Sequence, residues 1–294
     1  MIRLKVIMEL IKFNISILVI VTCYIGYYLG LRYNGLIMTE FKSWYIFLFL
    51  ILGTFISSSG ASMLNQYIER NFDAKMNRTK NRPIPSKIVS PTSVLFWGLF
   101  LSIIGPAILI YKINFLTGLI SFLTVFIYVC IYTPLKRYSV LNTIVGAVPG
   151  ALPPLGGWVA ATGHITIEAI MLFGVLFCWQ IPHFLSLAII YKDDYARGGF
   201  KMLPSVTNDE NQITFQILFF TMALIYTSIG IYVLNLTSYL YVVGAILLGL
   251  IFLFYSSSIL FDYSPKSIKR IFIFSIIYLP ILLLLILLDN FLMK

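Results

Sequence analysis

Residues 44–73 read WYIFLFLILGTFISSSGASMLNQYIERNFD. The first part of this stretch, residues 44–64, is apolar or small and carries no charge. A helix that crosses the hydrocarbon core of a membrane needs about 20 such residues. The remaining residues, 65–73, suddenly include acidic, basic and amide side chains. The stretch therefore predicts a membrane-spanning helix with an acidic segment where it leaves the membrane.

The rest of the chain has the same character. Of its 294 residues, 60% are hydrophobic and only 11% are charged, and the mean hydropathy is +0.93. A soluble domain carries about 25% charged residues, so this chain could not cover its surface in water. We predict an all-α integral membrane protein with nine transmembrane helices near residues 12–31, 44–64, 93–111, 113–132, 140–161, 167–191, 212–233, 237–260 and 270–289.

The basic residues predict the orientation of these spans. Of the 21 Lys and Arg, 17 fall in the N-terminal segment and the alternate loops that share its side, and 4 fall on the other side. Cytoplasmic loops carry the excess of Lys and Arg. We therefore expect a multi-pass protein of the cell membrane with a cytoplasmic N-terminus and an external C-terminus. The net charge of +10 follows from this topology, so no nucleic-acid partner is expected.

Three oxygen-bearing side chains follow the second span at a spacing of four residues. Asn65, Glu69 and Asp73 share one face if this segment is helical. Like charges four residues apart repel each other on a helix, which suggests a cation between them. Oxygen ligands suit Mg²⁺, which proteins commonly bind through one or two carboxylates together with substrate phosphates. The alternative is a solvated helix end whose acids pair with nearby Lys and Arg.

A second acidic loop follows the sixth span, on the same predicted side. It contains Asp193 and Asp194. Three basic residues, Arg78, Lys80 and Arg82, follow the first acidic segment, and such cations bind phosphate oxygens. Acidic clusters that face each other, with basic residues around them, are typical of a Mg²⁺-bridged diphosphate. The sequence thus predicts a diphosphate site at the cytoplasmic face.

Polar residues near the inner ends of other spans point to the same place. Tyr132 and Lys136 are one helical turn apart at the end of the fourth span, and Asn142 begins the fifth. His183 lies within the sixth span. Ionisable groups are costly to place inside a bilayer, so each one is first interpreted as functional. The alternative for His183 is a structural hydrogen bond, for instance to Gln180.

These motifs resemble a known family. Asn65-x-x-x-Glu69-x-x-x-Asp73 resembles the N-x-x-x-D-x-x-x-D motif of the UbiA superfamily of intramembrane prenyltransferases, and Tyr132-x-x-x-Lys136 matches its Y-x-x-x-K motif. Five further blocks are similar to the heme-modifying branch of that superfamily: MNRTKNRP at 76–83, GALPPLGGW at 150–158, PHF at 182–184, DDY at 193–195 and MLP at 202–204.

The resemblance implies a UbiA-type bundle around a central cavity, forming a single transmembrane prenyltransferase domain over residues 1–294. It implies Mg²⁺-dependent transfer of farnesyl from farnesyl diphosphate to a vinyl group of protoheme (heme B), giving heme O, at a site that faces the cytoplasm. Heme B is then a substrate and not a resident cofactor. Transient contact with heme A synthase or a terminal oxidase is left open.

The resemblance also assigns roles to single residues. The expected metal ligands are Asn65, Glu69, Asp73 and Asp194, and these are also counted as catalytic together with Tyr132 and Lys136. The expected substrate-binding residues are Arg78, Lys80, Arg82, Asn142, His183, Asp193 and Tyr195.

The chain departs from the family pattern at several positions. Glu69 replaces the commoner Asp, and the second motif lacks its second acid because Arg197 and Gly198 stand there. Lys201 stands where the heme-modifying branch often has proline. One alternative is therefore a UbiA-type enzyme for another acceptor, a quinone precursor or a glyceryl lipid. A more remote one is a cation-coupled transporter, whose acids would lie near the membrane midplane.

Overall fold

The computed structural model describes residues 2–207 and 209–292, so positions 1, 208, 293 and 294 of the predicted 1–294 domain lie outside it. Every regular element in the described residues is helical. We number the helices α1 (Ile2–Leu10), α2 (Phe13–Tyr33), α3 (Phe41–Asp73), α4 (Pro91–Lys112), α5 (Phe115–Leu135), α6 (Asn142–Thr162), α7 (Ile167–Ile190), α8 (Lys192–Gly198), α9 (Leu203–Val206), α10 (Glu210–Val233), α11 (Tyr239–Leu260) and α12 (Pro265–Leu292).

The predicted nine spans are confirmed. Within residues 2–207 and 209–292, nine helices are long and apolar enough to cross a membrane, and α1, α8 and α9 are the short exceptions. The second span differs from its predicted window, because α3 continues past residue 64 to Asp73. The first acidic segment is therefore the last turns of a membrane helix and not a loop.

Local sequence signals set several helix ends. The Asn114 side chain accepts a hydrogen bond from the Thr117 backbone N–H at 2.8 Å and so caps the start of α5. Asp209 caps α10 in the same way. Gly163 ends α6 with a φ of 82°, a left-handed conformation that glycine adopts without steric cost.

Helix α6 lies at the centre of the bundle. Buried residues make up 67% of its apolar window, against 33% for α4. It packs on α2, α5 and α7, while α10, α11 and α12 pack beyond α7. The α2–α6 contact is close, since a Cβ atom on Gly157 would lie 1.9 Å from the Cys23 carbonyl oxygen. Glycine allows this approach, as is usual where membrane helices pack tightly.

A cavity of about 1250 Å³ lies inside the bundle, lined mainly by α2, α3, α5, α6 and α7. Its walls are mostly apolar, and its polar residues gather at the end where the loops after α3, α5 and α7 meet. Backbone contacts join these loops, for example a hydrogen bond from the Lys201 N–H to the Lys136 carbonyl at 2.6 Å. The outer surface carries exposed aromatic rings such as Phe96, Phe215 and Phe254, as expected for lipid-facing helices.

Candidate active site

One face of α3 presents the first motif to the cavity. Asn65, Glu69 and Asp73 are 1%, 3% and 0% exposed, and all three line the cavity. Residues four apart in an α-helix lie above one another, so the three side chains form a ladder along the wall. The helix end is therefore not solvated, although its acids do pair with basic residues as that alternative expected.

Each member of the ladder faces a basic side chain. Lys136 Nζ lies 2.8 Å from Glu69 Oε1, and Arg82 Nη1 lies 2.7 Å from Asp73 Oδ2. Lys12 Nζ donates to Asn65 Oδ1 at 2.7 Å. The cavity therefore carries oxygen ligands on one wall and cations beside each of them.

A second hydrogen bond fixes the direction of the Asn65 amide. Its Nδ2 donates to Thr133 Oγ1 at 3.1 Å, and the Thr133 hydroxyl donates to the Tyr128 carbonyl at 2.8 Å. That carbonyl belongs to a π-helical turn at Ile127–Tyr132 within α5. Such turns are frequent at functional sites. With its nitrogen held by Thr133, Asn65 turns its oxygen toward the cavity, where Lys12 donates to it.

The ladder has the donor chemistry of a magnesium site. Asp73 Oδ1 is buried and has no hydrogen-bond partner, and a buried oxygen of this kind is costly unless something binds it. Within residues 2–207 and 209–292, no three His, Cys, Asp or Glu side chains lie close enough to hold a metal together. An ion at Asp73 would take its remaining ligands from water or substrate oxygens, which is how Mg²⁺ is usually bound.

The length of the ladder limits how it can hold an ion. Asn65 and Asp73 are eight residues apart on α3, which corresponds to about 12 Å along the helix axis. Mg²⁺ holds its ligands at about 2 Å. One ion therefore cannot contact both ends, and an ion would sit between neighbouring members of the ladder.

Tyr132 and Lys136 both line the cavity beside Glu69. Lys136 Nζ lies 4.5 Å from the centre of the Tyr132 ring. Burial alone would lower the pKa of Lys136, but the Glu69 carboxylate and the Tyr132 phenol outweigh it and raise the pKa above its usual range. Lys136 is therefore a fixed positive charge at the polar end of the cavity.

Of the basic residues that follow α3, Arg78 and Arg82 line the cavity and Lys80 does not. The Arg78 guanidinium donates to the Tyr195 hydroxyl at 3.1 Å, which brings the second loop to the cavity edge. Lys80 is exposed and donates to the Asn77 side chain at 3.3 Å. Its placement does not support the predicted substrate contact.

Asp194 lies apart from the other three predicted metal ligands. Its carboxylate accepts hydrogen bonds from the backbone N–H groups of Asn77 and Arg78, at 2.8 and 3.1 Å, and from the Arg197 guanidinium at 2.5 Å. Burial would raise the pKa of Asp194, but these hydrogen bonds lower it. The side chain lines a separate small pocket, as does the exposed Asp193. Asp194 therefore braces the two loops and does not meet the ladder on α3.

Asn142 also lies outside the cavity lining. Its Nδ2 donates to the carbonyls of Ser139 and Lys201, at 2.6 and 2.8 Å. Because the side chain is fully buried in these contacts, it ties the start of α6 to the loop before α9. The predicted substrate contact is replaced by a structural one.

His183, on α7, also lines the cavity. Its ring is stacked between Trp179 and Phe272, with centroid distances of 5.0 and 5.2 Å. Its Nδ1 lies 2.8 Å from Ser275 Oγ on α12. The alternative partner, Gln180, instead donates to the carbonyls of α6 and α7.

The contacts of Ser275 determine which His183 nitrogen carries the proton. Ser275 Oγ donates its hydrogen to the Phe272 carbonyl at 2.6 Å, so it must accept a hydrogen bond from His183 Nδ1. A neutral imidazole has one N–H and one acceptor nitrogen. His183 Nε2 therefore keeps its lone pair. A histidine nitrogen in this state, with Nδ1–H held by a neighbour, is suited to bind a metal.

Sequence reasoning missed two residues of the site: Lys12, which lines the cavity, and Ser275, which holds the ring of His183. Lys12 was counted only as a topological charge, and Ser275 is a single serine in the apolar middle of α12. No local signal identifies either one. Lys12 reaches Asn65, and Ser275 reaches His183, through the packing of helices that are distant in the chain.

The family model described as "UbiA prenyltransferase family" matches residues 17–279. Protoheme IX farnesyltransferase from Solibacter usitatus is 40% identical over 284 residues, which cover 96% of this chain and 97% of that protein. The corresponding protein from Flavobacterium psychrophilum is 38% identical over 97% of this chain and 94% of its own length. The mitochondrial human protein of that name is 39% identical over 83% of this chain and 55% of its own length.

Solved structures share the fold. A structure of digeranylgeranylglyceryl phosphate synthase matches with a TM-score of 0.81 and 17% identity, covering 98% of this chain and 99% of that one. A UbiA homolog from Archaeoglobus fulgidus, bound to GPP and Mg²⁺, matches with a TM-score of 0.62 and 14% identity over 96% of this chain and 99% of that one. The predicted UbiA-type bundle is thereby confirmed.

Proposed function

Because this chain belongs to the UbiA prenyltransferase family, and within it to the protoheme IX farnesyltransferases, we propose that it transfers the farnesyl group of farnesyl diphosphate to a vinyl group of heme B. The C–O bond to the diphosphate breaks and a C–C bond to the vinyl carbon forms. Water then adds to the neighbouring carbon and releases a proton, which gives the hydroxyl group of heme O.

The observation that best supports this proposal is that one cavity has two chemically different walls. The α3 wall bears Glu69 and Asp73 with their cations, whereas the α7 wall bears His183 between aromatic rings. The first suits a metal-bound diphosphate and the second suits a flat, iron-containing ring. A volume of about 1250 Å³ also exceeds the usual ligand pocket of about 300–1,000 Å³, as two large substrates require.

The ladder on α3 would hold magnesium together with the diphosphate. When bound, Mg²⁺ supplies Lewis-acid stabilisation of the departing diphosphate. Arg82 and Lys136 already lie at the carboxylates and would donate to diphosphate oxygens, where negative charge develops as the C–O bond breaks. Arg78 is placed at the cavity edge to do the same. The apolar walls exclude bulk water from the allylic cation.

His183 would face the acceptor. Its Nε2 keeps a lone pair, and imidazole nitrogen is a common ligand of heme iron. Stacking against Trp179 and Phe272 holds the imidazole ring in a fixed orientation. We propose that His183 orients heme B so that one vinyl group points toward the α3 wall. This role is specific to a heme acceptor and would have no purpose with a quinone precursor or a glyceryl lipid.

The polar end of the cavity is proposed to face the cytoplasm. The loops that meet there belong to the side that carries 17 of the 21 basic residues, and this charge excess marks the cytoplasmic side. Farnesyl diphosphate would then enter from the cytoplasm, and heme B from the membrane or its surface.

The experiment that tests the function is a product assay on the purified protein. The protein is incubated with farnesyl diphosphate and heme B, with and without Mg²⁺, and the heme is analysed by mass spectrometry. We expect a Mg²⁺-dependent mass increase equal to farnesyl plus hydroxyl. Diphosphate release with a quinone precursor or a glyceryl lipid, and none with heme, would overturn the acceptor and leave the prenyl-transfer chemistry in place.

A further inference from the structure

Lys12 enters the cavity from a strained position in the backbone. It joins α1 to α2 with φ 47° and ψ 55°, a left-handed conformation that residues other than glycine rarely adopt. Such a strained conformation is retained only where contacts with the surrounding structure hold it, and it is frequent at functional sites. The side chain lines the cavity and reaches Asn65, 53 residues further along the chain.

The residue next to Asn65 holds this junction in place. Gln66 Nε2 donates to the carbonyls of Glu9 and Leu10, at 3.0 and 2.9 Å, in the last turn of α1. Gln66 is 1% exposed. Two neighbouring residues of α3 therefore act together, since one anchors α1 and the other receives the lysine that follows it.

The charge balance along the ladder leaves Lys12 without an anion. Lys136 pairs with Glu69, and Arg82 pairs with Asp73. Lys12 contacts two neutral acceptors, Asn65 Oδ1 at 2.7 Å and the Tyr128 hydroxyl at 3.3 Å. Among the residues that the structure describes, it forms an ion pair with no carboxylate. Lys12 is half-buried, and an ammonium group that is partly removed from water without an anion is costly, so this end of the ladder favours an incoming negative group.

We propose that Lys12 is a diphosphate-binding residue, delivered by α1 to the Asn65 end of the ladder. Its ammonium group donates hydrogen bonds to the diphosphate oxygens that lie farthest from Arg82, so that the anion is held from both ends. The inference rests on the proposed function and adds to it a substrate contact from outside the motifs on α3, α5 and α7. Lys12 stabilises the charge on the leaving group and takes no part in bond formation.

The test is binding of inorganic pyrophosphate with Mg²⁺ to the full-length protein in detergent, measured by calorimetry. Lys12→Met keeps the aliphatic chain and removes the charge. Since a hydrogen bond to a charged group is involved, we expect its dissociation constant to rise about 10- to 100-fold. Lys12→Arg keeps the charge and should bind within about tenfold of the wild type. Equal binding by Lys12→Met and the wild type would overturn the proposal.

The chain offers a matched control. Lys87 also has a positive φ, 58°, but it is exposed and does not line the cavity. Lys87→Met should leave pyrophosphate binding unchanged. If Lys12→Met does not fold, Gln66→Met provides the test, because it frees α1 and displaces Lys12 without removing its charge. Weaker pyrophosphate binding by Gln66→Met supports the proposal, and unchanged binding contradicts it.

A heme titration separates this inference from the proposed function. Lys12→Met should bind heme B as the wild type does, and a loss confined to heme would place Lys12 on the acceptor side and overturn the proposal. If the wild type binds Mg²⁺-pyrophosphate but never modifies heme, the assignment of heme B as the acceptor is wrong, and the role proposed for Lys12 stands. If heme O forms normally and Lys12→Met still binds pyrophosphate, only the role proposed for Lys12 is wrong and the proposed function stands.

Discussion

At the scale of single residues, the proposed chemistry depends on two buried carboxylates. Glu69 and Asp73 are almost fully buried, and each is already paired with a cation. Ion pairs of this kind are expensive to bury and contribute little to stability on balance. Their presence on a cavity wall is therefore better explained by binding than by folding.

Removing one of these charges should abolish activity without unfolding the protein. For Glu69→Gln and Asp73→Asn we expect turnover to fall at least about 100-fold. The metal loses a carboxylate ligand, and the negative charge that develops on the diphosphate is then less well stabilised. The measurement is heme O formation, with thermal unfolding in detergent as the check on folding. Glu40→Gln, at an exposed position before α3, is the control. Near-normal turnover in both variants would contradict the metal assignment.

Ser275 should act through the orientation of His183. In Ser275→Ala the Nδ1–H loses its acceptor, so we expect heme affinity to fall about tenfold, which corresponds to about 1.4 kcal/mol, with a shifted heme absorption band. Ser275→Thr keeps a hydroxyl group and should restore both.

Ser256→Ala provides the control for Ser275→Ala, because Ser256 is also fully buried but is hydrogen-bonded to Thr221 and does not line the cavity. Normal heme binding and an unchanged spectrum in Ser275→Ala would return His183 to a purely structural role.

At the scale of helices, α6 fits the cavity because it carries glycine where side chains of its neighbours must enter. A Cβ atom on Gly146 would lie 2.4 Å from the Tyr132 ring, and one on Gly150 would lie 2.0 Å from Gln180 Oε1. These two glycines therefore make room for side chains that line the cavity.

We therefore expect Gly146→Ala to displace Tyr132 and reduce turnover about tenfold or more, with a smaller change in thermal stability. Turnover and thermal unfolding would be measured on the same samples. Gly174→Ala on α7 is the comparison, because its Cβ would meet only the Thr227 methyl group at 3.1 Å, outside the cavity. Equal turnover in the two variants would contradict the steric argument.

The loops after α3 and α7 are joined through Asp194. We expect Asp194→Asn to loosen both loops, because the backbone N–H groups of Asn77 and Arg78 lose a charged acceptor. Hydrogen exchange of residues 74–82 should increase, while the Mg²⁺ concentration for half-maximal activity stays the same. A large rise in that concentration, with unchanged exchange, would restore Asp194 as a metal ligand.

At the scale of the whole molecule, the charge distribution predicts which face of the membrane the cavity opens to. In a variant without native cysteines, Lys80→Cys should react with a membrane-impermeant maleimide from the cytoplasmic side. His164→Cys, in the exposed loop between α6 and α7, should react from the outside. The reverse pattern would invert the topology and place the cavity mouth outside the cell.

The sequence by itself determined the membrane class, the nine spans and the position of the ladder on α3. These features depend on local quantities, namely the length of apolar runs and the four-residue spacing of an α-helix. The motifs around Tyr132, Lys136 and His183 likewise identified residues that line the cavity. The single domain over 1–294 stays a prediction.

Only the tertiary structure decided which side chains meet. It turned Asp194 and Asn142 away from the cavity, into contacts with backbone N–H and carbonyl groups. It brought Lys12 into the cavity and placed Ser275 against His183. The physical reason is that a hydrogen bond depends on distances of about 3 Å between atoms far apart in the chain. Periodicity places a residue on a face of its helix, but the packing of helices determines what that face meets.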